Sequence, residues 1–171
     1  IIDPIDGTSN FLHGIPHFAI SIGLEQDQEI ICGIIYDPIK DEMFTAEKGN
    51  GSYINNQRMR VSSRSKLKDC MIFTGGPKYG SMDRDACMKE YNKFSSEVFV
   101  PIRKLGSGSL DMAYVAAGRC DGFFSRNLSY WDIAAGIILV KEAGGFVTDF
   151  KGGNEYIQNK TMVASNGKIN K

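Results

Sequence analysis

What the 171-residue sequence lacks narrows the field first. Its 20 Lys and Arg are matched by 20 Asp and Glu, so neither charge is in excess, and no long basic run stands in for one. That removes the electrostatic footprint of a nucleic-acid or membrane-surface protein and leaves a small molecule as the expected partner. Only two histidines occur, and Cys32, Cys70, Cys87 and Cys120 lie 38, 17 and 33 residues apart without a C-x-x-C pair. This spacing speaks against a zinc site and fits reduced, buried thiols. Apolar runs are only a few residues long, too short for a transmembrane helix or the core of a signal peptide, so a reducing cytoplasm is the expected location. What is present, 42% apolar and 23% charged residues, is the composition of a soluble globular protein with chain enough for one sizeable core or two small ones.

The first residue is Ile, and Ile1-Ile2 reads as the end of a strand whose start is cut off, so natural sequence upstream is expected. In His17 to Glu25, apolar Phe18, Ile20, Ile22 and Leu24 alternate with small Ala19, Ser21 and Gly23, a strand expected to pack closely on both faces. Ile30 to Tyr36 and Met43 to Ala46 continue an antiparallel meander, with a strand pair over Gly51 to Val61 and another strand at Met71 to Thr74 before Gly75-Gly76-Pro77. From about residue 81 the rhythm becomes strand and helix in alternation. Helices are expected over Asp83 to Phe94, Ser109 to Ala117 and Ile133 to Ala143. Strands are expected at Val98 to Leu105, Asp121 to Phe124, Phe146 to Thr148 and Thr161 to Ser165. The whole reads as an α/β chain in layers, antiparallel over about residues 1–80 and alternating over about 81–171.

Three segments carry chemistry. In IIDPIDGTSNF, Asp3 is expected at a strand terminus that Pro4 enforces, and Asp6 follows on a turn that Gly7 permits. Carboxylates held this closely repel unless a cation lies between them, and hard divalent cations such as Mg2+ take oxygen ligands of this kind, with the Ile5 carbonyl as a further donor. If a short helix begins here, the Gly7 and Thr8 N–H groups form an anion cradle suited to a phosphate ester, and the Thr8 hydroxyl is placed to hold an attacking water. Asp37-Pro38-Ile39-Lys40-Asp41 mimics this motif, but it joins two hairpin strands and lacks the following Gly-Thr, so it is read as a solvated turn. In Trp131-Asp132-Ile133-Ala134-Ala135-Gly136, Asp132 stands where a helix begins, a position equally good for an N-cap and for a metal ligand. Leu105-Gly106-Ser107-Gly108-Ser109 is a Gly-rich junction that turns N–H groups toward an anion.

With these segments in this order, the sequence resembles the inositol monophosphatase family of Mg2+-dependent, lithium-sensitive sugar phosphatases. IIDPIDGTSNF resembles its first signature and WDIAAG with the later EAGG its second, and the resemblance extends over essentially all 171 residues. It implies an αβαβα sandwich, incomplete at the amino end, usually a homodimer, holding two or three Mg2+ ions in the complete protein. Asp3 would bridge two metals, the Ile5 carbonyl would complete one site, and Asp6 with Asp132 the other. Gly7 and Thr8 would hold phosphate, and Gly106, Ser107 and Gly108 would line the alcohol side of a small phosphate monoester. The family completes its first metal site with an upstream glutamate and places its general-base aspartate upstream as well. These 171 residues alone are therefore expected to be weak or inactive. Ser125 stands where many members place a substrate-contacting glutamate, and Gly108 replaces a commoner alanine, which implies breadth among polyol and sugar phosphates. Alternatives are a 3'(2'),5'-bisphosphate nucleotidase or fructose-1,6-bisphosphatase of the same superfamily, or a non-catalytic regulatory binding protein.

Overall fold

The computed structural model describes residues 1–76, 84–98 and 100–169. Six strands follow one another as an antiparallel meander in sequence order: β1 (Ile2–Asp6), β2 (Ala19–Gln26), β3 (Glu29–Asp37), β4 (Glu42–Glu47), β5 (Gly51–Ile54) and β6 (Gln57–Met59). A short helix, α1 (Thr8–Leu12), fills the link between β1 and β2. A second sheet contains β7 (Ile72–Thr74), β8 (Ile102–Arg103), β9 (Gly122–Arg126), β10 (Phe146–Thr148) and β11 (Thr161–Ser165) in the order β10-β11-β9-β7-β8. Helices α2 (Arg84–Lys93), α3 (Gly108–Ala116) and α4 (Tyr130–Glu142), with a 3-10 turn at Leu67–Asp69 and a π-turn at Phe94–Val98, complete the described elements.

Two of these helices explain the layering. Both α3 and α4 are apolar nearly all round, and such a helix is stable only where both sides are covered. They pack on each other and lie between the sheets, α4 across β2 and β3 and α3 against β7, β9 and β11. Small residues bring α4 down onto the meander: a Cβ on Gly23 would sit 3.0 Å from the Ala134 Cβ, and one on Gly33 would sit 2.8 Å from the Ala135 carbonyl oxygen. The central core of Ile35, Phe44, Leu110, Met112, Phe123, Ile133 and Leu139 is what these three layers enclose.

Several expectations change. Strand β2 does not pack closely on both faces: Ala19, Ser21 and Gly23 turn inward, while Ile20, Ile22 and Leu24 are 39%, 39% and 55% exposed. The small residues face inward because α4 approaches there. The Met71–Thr74 segment leaves the antiparallel part and pairs in parallel with both β8 and β9, as suits a strand whose three residues are all buried. Of the strand expected from Val98 to Leu105, only Ile102–Arg103 pairs, a π-turn occupies Phe94–Val98, and residue 99 lies outside the described residues. Pro77 and Asp83 also lie outside them.

Asp3 is not at a strand terminus. It lies inside β1, and Pro4 is tolerated because β1 is at the sheet edge, where a missing N–H breaks no ladder. The register shifts between Asp3 and Asp6, so the chain bends there. The turn from Asp37 to Asp41 is solvated over Pro38, Ile39, Lys40 and Asp41, but its first residue is not. Asp37 is fully buried; its Oδ1 accepts from the N–H groups of Ile39 and Lys40, at 3.0 and 3.1 Å, and its Oδ2 from Lys40 Nζ at 2.7 Å. Burial pushes this carboxyl up, but those hydrogen bonds outweigh it and hold the carboxyl below its ordinary range.

Candidate metal centre

The two signature segments, more than a hundred residues apart in sequence, meet at one cavity of about 330 Å³. Asp3 and Asp6 reach it from β1, and Asp132 from the first turn of α4. One carboxylate oxygen from each lies within 4.8 Å of the others, and all three residues are at least nine-tenths buried. Ile5, Gly7 and Thr8 line the same cavity, as do Gly106, Ser107 and Gly108.

Each acid is held by its surroundings. Asp3 Oδ1 accepts from the Ile5 N–H at 3.1 Å, a local bond that fixes the bend in β1. Asp132 is not the N-cap. Ser129 caps α4, and Asp132 is the third helical residue, its Oδ2 accepting from the Ser129 N–H at 2.8 Å in a capping box. The choice between cap and ligand was therefore a false one, since one oxygen serves the helix and the carboxylate still lines the cavity. Asp6 is the most heavily bonded: its Oδ2 accepts from Ser107 Oγ at 2.6 Å, Ser109 N at 2.7 Å and Ser109 Oγ at 2.6 Å.

The loops around the acids interlock. Gly7 has φ +88°, and a Cβ there would meet the carbonyl oxygens of His17 and Gly106 at 3.1 and 3.3 Å. Asn10 Nδ2 donates to His17 O at 2.7 Å and Leu105 O at 2.9 Å, tying the first signature to the Gly106 junction. The Thr8 hydroxyl donates to the Ile5 carbonyl at 2.8 Å, so toward a water it acts through its lone pairs as an acceptor. Ser125 does not line this cavity. It lies in β9, buried, and faces a neighbouring cavity with Lys104 and Arg126, on the far side of Gly75.

Asn10, Ser109, Trp131 and Asp111 were missed as site residues. Trp131 and Asp111 line the cavity, and a lone aspartate between Leu110 and Met112 on an apolar helix was the available signal for the second. Both Asp111 oxygens are buried with no hydrogen-bond partner among the described residues. Burial, reinforced by the Asp6 charge, pushes the Asp111 carboxyl well above its usual range. A group raised in this way stabilises the fold fully below its unfolded pKa of about 4, and that contribution is lost as pH rises through the folded value. Asp111→Asn should therefore flatten the fall in melting temperature that the wild-type protein shows as pH rises from weakly acidic toward neutral. Thermal denaturation across pH checks this, and parallel profiles for the two proteins would contradict it.

The inositol monophosphatase family model matches residues 1–171, and the chain belongs to that family. It is 50% identical over 169 residues to the inositol-1-monophosphatase of Mesorhizobium japonicum, covering 99% of this chain and 63% of that protein. It is 45% identical to Nus factor SuhB of Pseudomonas aeruginosa, covering 98% and 62%. The crystal structure of extragenic suppressor protein suhB from Bartonella henselae superposes with a TM-score of 0.93 at 51% identity, over 99% of this chain and 65% of that one. The chain thus spans a little under two thirds of the length of these relatives, with the same α/β fold over that span. No described helix is long and apolar enough to cross a membrane.

Proposed function

We propose that this chain carries the metal-binding and phosphate-binding part of a Mg2+-dependent phosphomonoesterase that hydrolyses inositol 1-phosphate, or a related polyol or sugar monophosphate, to alcohol and phosphate. The observation that carries the reading is the meeting of Asp3, Asp6 and Asp132 within 4.8 Å at a cavity that both signatures build. The donor set fits the cation: three carboxylates, with no thiol or imidazole among them, suit a hard ion rather than zinc. Bound there, Mg2+ would neutralise phosphate charge and make water more acidic. The chain's own residues hold and aim. Asp3, Asp6 and Asp132 would hold one cation, Asp3 and the Ile5 carbonyl would hold a second, and the Gly7 and Thr8 N–H groups would bind phosphate. The Thr8 oxygen accepts a hydrogen from the attacking water. Gly106 and Gly108 leave room for the alcohol, while Ser107 acts through Asp6. Water is the nucleophile and no covalent phosphoenzyme forms.

The protein is proposed to be a cytoplasmic homodimer acting on a small molecule, with these 171 residues alone giving weak turnover. Ser125, uncharged and opening on the neighbouring cavity, offers the alcohol no charged acceptor, so several polyol monophosphates should be hydrolysed within about 10-fold of one another. Phosphate release from a panel of inositol, sugar and 3'-phosphonucleotide esters and fructose 1,6-bisphosphate checks this. Strict preference for inositol 1-phosphate would contradict the breadth, and preference for a bisphosphate would move the assignment to that branch. The relatives named Nus factor SuhB support a second reading, a regulatory binding protein. It gains if Asp132→Asn abolishes turnover and leaves the cellular phenotype intact.

A further inference from the structure

We infer that the Ser109 and Ser107 hydroxyls set the metal preference of the carboxylate triad, by filling one oxygen of Asp6 so that it offers a cation only the other, and thereby favour Mg2+ over Ca2+. The inference deepens the proposed function and rests on its reading of the triad as a metal site. Asp6 Oδ2 accepts three hydrogen bonds, at 2.6, 2.7 and 2.6 Å, all buried. A carboxylate oxygen has about two lone pairs, so Oδ2 has none to spare and Oδ1 is the oxygen left for a cation. Charge-assisted bonds of this length are also the strong kind, which keeps the carboxylate from swinging to present both oxygens.

Capping does not explain Ser109. Ser107 is the N-cap of α3, its Oγ accepting from the Leu110 N–H at 3.4 Å, whereas the Ser109 hydroxyl is fully buried and its hydrogen goes to Asp6. Asp132 Oδ2 accepts from Ser129 N and Asp3 Oδ1 from Ile5 N, single bonds that engage these oxygens without filling them as Asp6 Oδ2 is filled. Ca2+ seeks about six to eight oxygens at long range and gains from two-oxygen carboxylates; Mg2+ takes about six at short range and keeps several waters. A triad in which Asp6 is held to one oxygen is thus poorer in ligands for Ca2+ than one in which it gives two, while Mg2+ loses little.

Replacing both serines, as Ser107→Gly with Ser109→Ala, leaves Oδ2 only the Ser109 N–H and returns a lone pair of that oxygen to the cation. Calorimetric titration of the wild-type and doubly substituted proteins with Mg2+ and with Ca2+ gives the ratio of the two affinities, with no dependence on turnover. Partners of metal ligands alter affinity by about 10- to 100-fold, so the preference for Mg2+ should fall by about 10-fold or more. Ser107→Ala with Ser109→Ala removes the same two donors and should move the ratio the same way, which keeps the test open if one pair folds poorly. Ser109→Ala alone leaves two donors on Oδ2 and should leave the ratio near the wild-type value, as should Asp37→Asn, which alters a buried carboxylate that does not line the cavity. A wild-type ratio in a folded double variant overturns the inference alone. Failure of the wild-type protein to take up either ion at millimolar concentration overturns the metal reading beneath it.

Discussion

Asp132→Asn is expected to lower Mg2+-dependent phosphate release by more than about 100-fold, since even partners one bond removed from a metal cost 10- to 100-fold. The substitution separates the two tasks of this residue. The Asn side-chain oxygen still accepts from the Ser129 N–H, so the capping box and α4 survive, while one of three negative charges within 4.8 Å is gone. The folded protein without metal should melt at the wild-type temperature or slightly higher, because three carboxylates this close repel one another. What disappears is stabilisation by the ion. At 100 times its dissociation constant a ligand adds about 2.7 kcal/mol, which for a chain of this size is a melting shift of about 5 to 10 °C. Thermal denaturation with and without Mg2+ measures it. Turnover retained in Asp132→Asn, or an undiminished Mg2+ shift, would contradict the assignment.

Gly33→Ala is expected to have the largest effect on stability, although the position lies in a strand outside both signatures. The added Cβ would fall 2.5 Å from Ile138 Cγ2, 2.8 Å from the Ala135 carbonyl oxygen and 3.0 Å from the Ala135 Cα. Two of these three atoms are backbone, so α4 must lift from the sheet. Overpacking of this kind costs about 3 kcal/mol, a fall of about 6 to 12 °C in melting temperature. Because α4 carries Asp132 in its first turn, Mg2+ affinity should fall with it. Gly108→Ala is the contrast, since its Cβ would meet Leu128 Cδ2 at an ordinary 3.5 Å, and it should be close to neutral. Chemical denaturation of the two variants checks the pair, and equal stabilities would contradict the close packing of α4.

Some of this was legible in the sequence because it is local. Asp3, Asp6 and Gly7 lie within five residues at the end of one strand, Ala134-Ala135-Gly136 announces a helix that packs closely, and the alternation of β2 gives its strand without any knowledge of its neighbours. What was not legible depends on partners distant in sequence. Nothing near Ser109 points to Asp6, 103 residues away, and nothing near Asp132 tells whether it caps, ligates or does both. The Ile72–Thr74 strand carries no signal for which sheet it joins, because a short apolar run fits either one. The exposure of one face of β2 was missed for a related reason: alternation reveals two faces, and only the position of α4 decides that the small residues lie inward and the other face is left open. Asp37 shows that one carboxylate of an otherwise exposed turn can be buried when the turn's own N–H groups and a following lysine satisfy it.

The central claim, that Asp3, Asp6 and Asp132 together hold a divalent cation, is tested most directly by anomalous diffraction from crystals of the protein soaked in Mn2+, which takes oxygen ligands as Mg2+ does. The account predicts an anomalous peak between the three carboxylates, nearer to Oδ1 than to Oδ2 of Asp6. A map with no peak there at millimolar Mn2+, in crystals where the three side chains are well ordered, would contradict it.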